Sequence, residues 1–219
     1  IIARRDRGIS EPADLVGKHI ATQKNSAVHF FLSMFLLHSN IPQDAVTVSF
    51  MPAVELSDAL ADGTIDAFSM RNPFIAQARA KLGENAIEFH DPAIYRQTFN
   101  LVTSRAFTEK HPSVTVRLLA ALVEAETFLL QTPAEARQLA IREYGEHREQ
   151  ELLNDWDRYT YAVSLDQSLL LTLEGQARWA IDNGLTEAAQ VPNFLQLIDA
   201  DALKQVKPNA VTLMGHPDS

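Results

Sequence analysis

The chain contains no cysteine among its 219 residues. Disulfide bonds, thiol catalysis and thiolate metal sites are therefore excluded. The absence does not identify a compartment, because exported proteins without disulfides and cytosolic proteins are equally compatible with it.

The sequence also lacks long apolar runs and an excess of positive charge. No run reaches the roughly 20 apolar residues that a membrane-spanning helix needs, so we expect no direct membrane insertion. Lys and Arg number 19 against 28 Asp and Glu, which gives a net charge of -9. This balance argues against nucleic acid and anionic membranes as partners. It does not exclude a small anionic ligand, because hydrogen-bond donors within a cleft can outweigh the negative electrostatic potential of the whole chain.

Sequence motifs of the common enzyme classes are missing too. We find no nucleophile elbow, zinc-protease helix, phosphate-binding loop or dinucleotide fingerprint. The histidines are scattered without ligand spacing on a common face: His19, His29, His38, His90, His111, His147 and His216. We therefore expect no metal, no cofactor and no catalytic residue.

What the sequence does contain is a strand–helix repeat between Gly17 and Phe74. Hydrophobic residues make up 46% and charged residues 21% of the chain, as in a soluble globular protein. Three apolar runs alternate with two helical patterns, which predicts an α/β fold with parallel strands and right-handed crossovers. The predicted strands are His19–Thr22, Val46–Met51 and Ile65–Met70, and the predicted helices are Ser26–His38 and Ala53–Ala61.

The flanking segments add further elements. Ile1–Ala3 looks like the end of a strand, a third helix is predicted at Phe74–Leu82, and strands at Ala86–Phe89 and Thr98–Ser104. From Ala106 onward the pattern is helical. Long helices are predicted at Val114–Leu130, Ala134–Tyr144, Glu151–Tyr161 and Leu165–Asn183, with capping boxes at Thr132–Glu135 and Ser164–Gln167.

The carboxyl ends of the three parallel strands are where such a sheet binds ligands. The first of these loops carries Lys24, Asn25, Ser26 and Ala27. Asn25 and Ser26 are good N-cap residues, and small residues in the first turn leave backbone N–H groups open to an anion. The alternative is an ordinary cap that serves only its helix.

The loop after the third strand carries Arg71 and Asn72. Asn72 before Pro73 predicts an N-cap followed by proline at the first helical position. The planar guanidinium of Arg71 suits a carboxylate, sulfonate or phosphate. The alternative is a surface arginine paired with an acidic neighbour.

Several short motifs together resemble a known family. They are Asp14–Ala21, Ser26–Ala27, Pro52–Ala53, Ala59–Leu60, Gly63–Ala67 and Asn72–Phe74. This pattern is similar to the second lobe of a type II periplasmic solute-binding protein. The group it resembles comprises the ABC-transporter receptors for nitrate, alkanesulfonates, taurine and thiamine-pyrimidine precursors.

The resemblance implies two α/β lobes with a helical C-terminal tail. Residues 1–16 would be the end of lobe 1 and the crossover, residues 17–92 the α/β lobe 2, and residues 93–219 a return strand and C-terminal helices packing on lobe 1. The first half of lobe 1 has no counterpart in the sequence, and no signal peptide is present, so we expect the chain to be a fragment. In such a fold Tyr95 and Asn100 flank the cleft and become secondary candidates for ligand contacts; the alternative is simple packing and sheet pairing.

The resemblance also implies a function. The protein would be a monomeric periplasmic or extracytoplasmic receptor, free or membrane-anchored, that captures a small anionic or zwitterionic ligand by lobe closure. Its protein partners would be ABC permease subunits.

Three alternatives remain open. The same module serves as the ligand-sensing domain of membrane-bound signalling proteins. Many relatives carry an aromatic or acidic residue at the position of Arg71, and pyrimidine precursors favour such residues, so the ligand class is not fixed. A biosynthetic enzyme on the same fold is the third alternative, although the pyrimidine-synthase relatives carry a cysteine-rich motif that this chain lacks.

An aspartate at the position of Asp66 is common in the resembled family. We interpret Asp66 as a structural residue of the turn and strand, without a chemical role.

Overall fold

The computed structural model describes residues 1–214, without the side chains of Glu146 and Glu151. Its internal contacts divide the described chain into two units. Unit 1 contains Ile1–Thr98 together with Asp182–Thr186. Unit 2 contains Phe99–Ile181 and the described residues from Glu187 onward.

Unit 1 is built on a five-stranded mixed sheet. The strands are β1 (Ile2–Arg4), β2 (His19–Thr22), β3 (Thr47–Phe50), β4 (Ala67–Ser69) and β5 (Ala86–Glu88), in the order β3-β2-β4-β1-β5. Strand β2 lies between β3 and β4 and is parallel to both. The α/β fold with parallel strands that the sequence predicts is therefore confirmed, with strand ends that differ by one or two residues.

Three helices cover the two faces of this sheet: α1 (Ala27–His38), α2 (Ala53–Asp62) and α3 (Phe74–Leu82). Successive strand residues point to opposite faces. Ile20 accordingly packs with Leu32 of α1 in one apolar core, whereas Ala21 packs with Leu56 of α2 in the other. Helix α1 is apolar almost all round, and seven of its twelve residues are buried.

Strand β1 joins the same sheet from an unexpected position. It pairs antiparallel with both β4 and β5, where Ile2 lies opposite Phe68 on one side and Glu88 on the other. The resemblance implied that residues 1–16 form the end of lobe 1 and the crossover, and the three apolar residues Ile1–Ala3 do not by themselves specify which strands they pair with. The assignment of residues 1–16, 17–92 and 93–219 to the lobes of the resembled family stays a prediction.

Unit 2 is helical. Its helices are α4 (Arg105–Lys110), α5 (Pro112–Gln131), α6 (Pro133–Tyr144), α7 (Glu149–Trp156), α8 (Gln167–Asp182, whose last residue is grouped with unit 1) and α9 (Asp201–Val206). Helix α7 ends five residues before the predicted end at Tyr161, because the chain turns at Asp155–Tyr159 and the Tyr161 hydroxyl donates a hydrogen bond to the Trp156 carbonyl. The remaining long helices match the sequence pattern within about two residues.

Both predicted capping boxes are wrong in their details. Thr132 occupies the N-cap of α6, but its hydroxyl donates backward to the Phe128 carbonyl at 2.9 Å instead of capping. At α8 the capping side chain is that of Asp166, which accepts from the backbone N–H groups of Ser168 and Leu169. The carboxylate takes this role because it lies closer in sequence to the free N–H groups than Ser164 does.

The predicted strand Thr98–Ser104 is also wrong. In the described chain this segment has no regular secondary structure. Its residue pattern meets the side-chain requirements of a strand, but a strand also needs a neighbour that pairs with its backbone. The described residues bring no such neighbour alongside it.

Candidate functional site

The ends of β2 and β4 are tied to the first turn of α1 by two buried hydroxyls. The Thr22 hydroxyl donates to the Ser69 carbonyl at 3.1 Å, and the Ser69 hydroxyl donates to the Val28 carbonyl at 2.9 Å. Neither Thr22 nor Ser69 is exposed to solvent. The loops that follow β2 and β4 therefore start from a fixed base at one edge of the sheet.

Ser26 is the N-cap of α1, as the sequence predicts. Its Oγ accepts from the His29 backbone N–H at 3.3 Å and donates to the Gln23 carbonyl at 2.5 Å. Asn25 does not cap; it adopts a left-handed backbone conformation with φ of 54°, which asparagine tolerates better than most residues.

The opening turn of α1 keeps unpaired donors. The backbone N–H groups of Ala27 and Val28 donate to no residue that the structure describes. A helix N-terminus with such groups carries partial positive charge and favours an anion. Lys24 lies just before it in the same loop.

Phe50, the last residue of β3, brings two basic side chains together. Its ring lies 4.8 Å from the His29 ring in an edge-on arrangement and 5.5 Å from the Lys24 Nζ. Burial of the imidazole, and secondarily the Lys24 charge, lowers the pKa of His29 from 6.5. Phe50 is not among the site residues predicted from the sequence; the signal for it is an aromatic residue at the end of a strand that leads into a ligand loop, where the structure leaves it half-exposed.

Arg71 follows β4 at the same edge. Its side chain is exposed, and it forms no ion pair or hydrogen bond with any residue between 1 and 214. The alternative of an acidic neighbour that pairs with this arginine is therefore not found in the described chain.

Helix α3 after Arg71 begins at Phe74, as predicted, but its N-cap differs from the prediction. Pro73 is the N-cap of α3, and its peptide bond with Asn72 is cis. The predicted N-cap role of Asn72 is wrong, because the Phe74 N–H donates to the Arg71 carbonyl at 3.1 Å and closes a turn before the helix starts. Asn72 is half-buried beside Arg71.

The two secondary candidates, Tyr95 and Asn100, belong to different units of the chain. The Tyr95 ring contacts Phe30 of α1 edge-on at 5.2 Å, within unit 1. Asn100 is exposed and belongs to unit 2. Unit 1 thus brings Lys24, Asn25, Ser26, Ala27, Arg71 and Asn72 to one edge of its sheet. That any of these eight residues contacts a ligand stays a prediction.

A cavity of about 400 Å³ lies within unit 2. It is lined largely by apolar and aromatic side chains, among them Leu129, Tyr144, Trp156 and Tyr161. The sheet edge of unit 1 offers unpaired N–H groups and two cations instead, so it is the better candidate for an anionic ligand.

Between residues 1 and 214, no three His, Asp or Glu side chains come together in a group that could hold a metal ion. His216 lies outside the described residues. None of the described helices is both long enough and apolar enough to cross a membrane.

Comparison with known proteins places these features in context. The family model described as NMT1/THI5 like matches residues 1–136. A Bacillus subtilis (strain 168) protein, provisionally named an aliphatic sulfonates-binding protein, is 28% identical over 140 residues. That alignment covers 64% of this chain but only 42% of the relative, so this chain matches less than half of that protein's length.

Solved structures share the fold at low sequence identity. The periplasmic aliphatic sulphonate binding protein SsuA of Escherichia coli superposes with a TM-score of 0.73 at 17% identity, over 92% of this chain and 68% of that one. The desulfurization enzyme DSZB superposes with a TM-score of 0.60 at 16% identity, over 95% of this chain and 75% of that one. The type II periplasmic-binding-protein fold is thus shared with a binding protein and with an enzyme.

Proposed function

Because this chain belongs to the NMT1/THI5-like family, we propose that it acts as the solute-binding component of an ABC importer. Its ligand is a small anionic or zwitterionic compound, with organic sulfonates as the leading class. The loops after β2 and β4 supply part of the binding site, through Lys24, the opening turn of α1 and Arg71.

The observation that carries this proposal is the unpaired Arg71. A guanidinium is a strong donor to planar and tetrahedral anions, and Arg71 lies in the loop after β4, at the edge where a parallel sheet binds ligands. Here the chain has a net charge of -9, yet none of the described acidic groups pairs with Arg71. An external anion is the partner that the site lacks.

Helix geometry supports the same ligand class. The unpaired N–H groups of Ala27 and Val28 point along the axis of α1, so their partial positive charge adds to that of Lys24. A sulfonate has three equivalent oxygens, which suits a site that combines backbone donors with a guanidinium. The names of the Bacillus and Escherichia relatives, which refer to aliphatic sulfonates, agree with this choice.

Binding of matched ligands tests the proposal. We expect ethanesulfonate and taurine to bind the purified protein in isothermal titration calorimetry, and the neutral isostere ethanesulfonamide not to bind. Arg71→Ala should weaken ethanesulfonate binding by roughly ten- to a hundredfold, because a hydrogen bond to a charged group contributes about 1.5–3 kcal/mol.

A matched control is available at the opposite edge of the same sheet. Arg5 is exposed, and its Nε donates only to the Ala86 carbonyl in the described chain. Arg5→Ala removes the same charge and should leave affinity unchanged. Equal weakening by both substitutions would mean that overall charge, not the site, governs binding.

The transport role is tested separately from ligand binding. Mass spectrometry of the ligand after incubation should return it unaltered; chemical conversion would favour an enzyme, as the fold of DSZB allows. In the source organism, deletion of the gene should abolish uptake of the radiolabelled ligand. Normal uptake with an altered transcriptional response to the ligand would favour the sensor alternative.

A further inference from the structure

Phe50 lies at the edge of the sheet where the candidate site is formed. It is the last residue of β3, beside Thr22 at the end of β2, and the Met51 N–H donates to the Thr22 carbonyl at 3.2 Å. The backbone that carries the ring is therefore held by the sheet. Phe50 is nevertheless 44% exposed, at the edge where a parallel sheet binds ligands.

Two basic side chains contact the Phe50 ring. The His29 ring meets it edge-on, with an angle of 73° between the two ring planes, and the Lys24 Nζ lies 5.5 Å from its centroid. An aromatic ring attracts a nearby ammonium through its electron-rich face, so Phe50 helps to keep Lys24 in place. Because His29 belongs to the first turn of α1, Phe50 also lies beside that turn.

Lys24 has no acidic partner in the described part of the chain. Its side chain is exposed, and no Asp or Glu between residues 1 and 214 forms an ion pair with it. An anion that binds to Lys24 and to the first turn of α1 comes to lie beside the Phe50 ring, because the ring contacts both.

An exposed phenylalanine by itself needs no functional explanation. Phe107 of α4 is such a residue: it is 42% exposed and packs against the His111 ring at 5.1 Å, but no described cation lies over its ring. Phe50 differs because it combines the same exposure with an ammonium that lacks an ion pair, at a ligand-binding edge of the sheet.

We propose, on the basis of the function proposed above, that Phe50 determines which anions the site prefers. The anionic group binds to Lys24, the first turn of α1 and Arg71, and the carbon chain attached to it packs against the exposed part of the Phe50 ring. The preferred ligand is an organic anion with an uncharged apolar tail. An inorganic anion has no carbon to place on the ring, and the ammonium of a zwitterion is repelled by Lys24 and resists losing its water.

A series of alkanesulfonates measures the contribution of the tail. We expect isothermal titration calorimetry to show an affinity that rises about two- to fourfold with each methylene from methanesulfonate to 1-butanesulfonate, because each methylene buries more apolar surface. 1-Propanesulfonate has the length of taurine without its ammonium. It should bind at least about fivefold more tightly than taurine, because Lys24 does not repel it.

Substitutions connect this preference to the ring. Phe50→Ala should reduce the gain to less than about 1.5-fold per methylene, whereas Phe50→Leu, which keeps an apolar side chain, should retain most of it. Methanesulfonate should lose less than about fivefold in Phe50→Ala, since only the contact of the ring with Lys24 is removed. Phe107→Ala is the matched control, because Phe107 belongs to unit 2 and should leave the whole series unchanged.

The series in the wild-type protein tests the preference without any substitution. Equal affinities across the series, or taurine binding more tightly than 1-propanesulfonate, would overturn the role of the apolar tail and leave the proposed function intact. The same gain per methylene in Phe50→Ala and in the wild-type protein would show that Phe50 is not responsible. Binding of none of the sulfonates would overturn the proposed function, and the role of Phe50 with it.

Discussion

At the scale of single residues, the structure separates polar groups that hold the fold from polar groups that are available to a ligand. Asp66 belongs to the first kind: its carboxylate accepts from the His19 backbone N–H at 2.9 Å, and its own N–H donates to the His19 carbonyl. It thereby links β2 to β4, in line with our structural interpretation. Arg71 belongs to the second kind, since none of the described groups pairs with it.

His29 gives a pH-dependent prediction. Because burial and the Lys24 charge lower its pKa in the folded chain, the unfolded chain binds a proton on this side chain at higher pH. The free energy of unfolding should therefore fall as the pH drops below about 6.5, and His29→Leu should remove part of that fall. Urea unfolding of both proteins at about pH 7.5 and pH 5.5 measures the difference. Equal losses of stability in the two proteins would show that His29 is not responsible.

The candidate site was predictable from sequence only where it depends on near neighbours. Ser26 caps α1 because N-capping requires only a side-chain oxygen and a backbone N–H group two or three residues later in the sequence. The lack of a partner for Arg71 could not be predicted, because it depends on where distant acidic residues fold. The contact of Phe50 with Lys24 and His29 was missed for the same reason, since it joins the ends of two strands.

At the scale of elements, one partly buried ion pair holds unit 2 together. The Lys207 ammonium, just after α9, donates to both carboxylate oxygens of Glu126 on α5, at 2.6 and 2.8 Å. Glu126 also accepts from the Val163 N–H at 2.9 Å, and Lys207 donates to the Val163 carbonyl at 3.3 Å. The Glu126 side chain is only 13% exposed, so its charge depends on these partners.

Loss of the cation should therefore destabilise the fold. Lys207→Met leaves the Glu126 carboxylate poorly solvated and without its counter-charge, and we expect the free energy of unfolding to fall by about 2 kcal/mol in a urea titration. Lys204→Met, within α9, is the control, because the ion pair of Lys204 with Asp201 is exposed, and the cost should stay below about 0.5 kcal/mol. Similar costs for both variants would mean that burial does not strengthen the Glu126 pair.

Elements were predictable where their signal is local. The sequence pattern predicted the bounds of β2, β3, β4, α1, α2 and α3 within two residues. It could do so because the hydrophobic periodicity of each element and the residues that mark its start and end lie within the segment itself. The place of β1 between β4 and β5 was not predictable, since a three-residue strand carries no information about its neighbours. The segment Thr98–Ser104 shows the converse: its residue pattern favours a strand, but no described strand pairs with its backbone.

At the scale of the whole molecule, the chain passes from unit 1 to unit 2 near residue 98, at the segment Thr98–Ser104, which has no regular secondary structure. A protease needs an accessible, unpaired backbone to cleave. We expect chymotrypsin at low concentration to cut the purified 219-residue chain first at Phe99, which is 79% exposed. Phe68, which has no exposed surface, is the internal control. Mass spectrometry identifies the first fragments; early cleavage at Phe68 would contradict the described fold of unit 1.

The position of β1 in the sheet sets an order of events during synthesis. β1 leaves the ribosome first among the described strands, but its partner β5 is made about 80 residues later, which takes roughly 4–16 s at typical translation rates. Until then the apolar side chains of Ile2 and Ala3 cannot pack fully, because one of the two strands that flank β1 is missing. The nascent chain therefore stays incompletely folded for seconds, a window in which a chaperone or an export machinery that accepts only unfolded polypeptide can act on it.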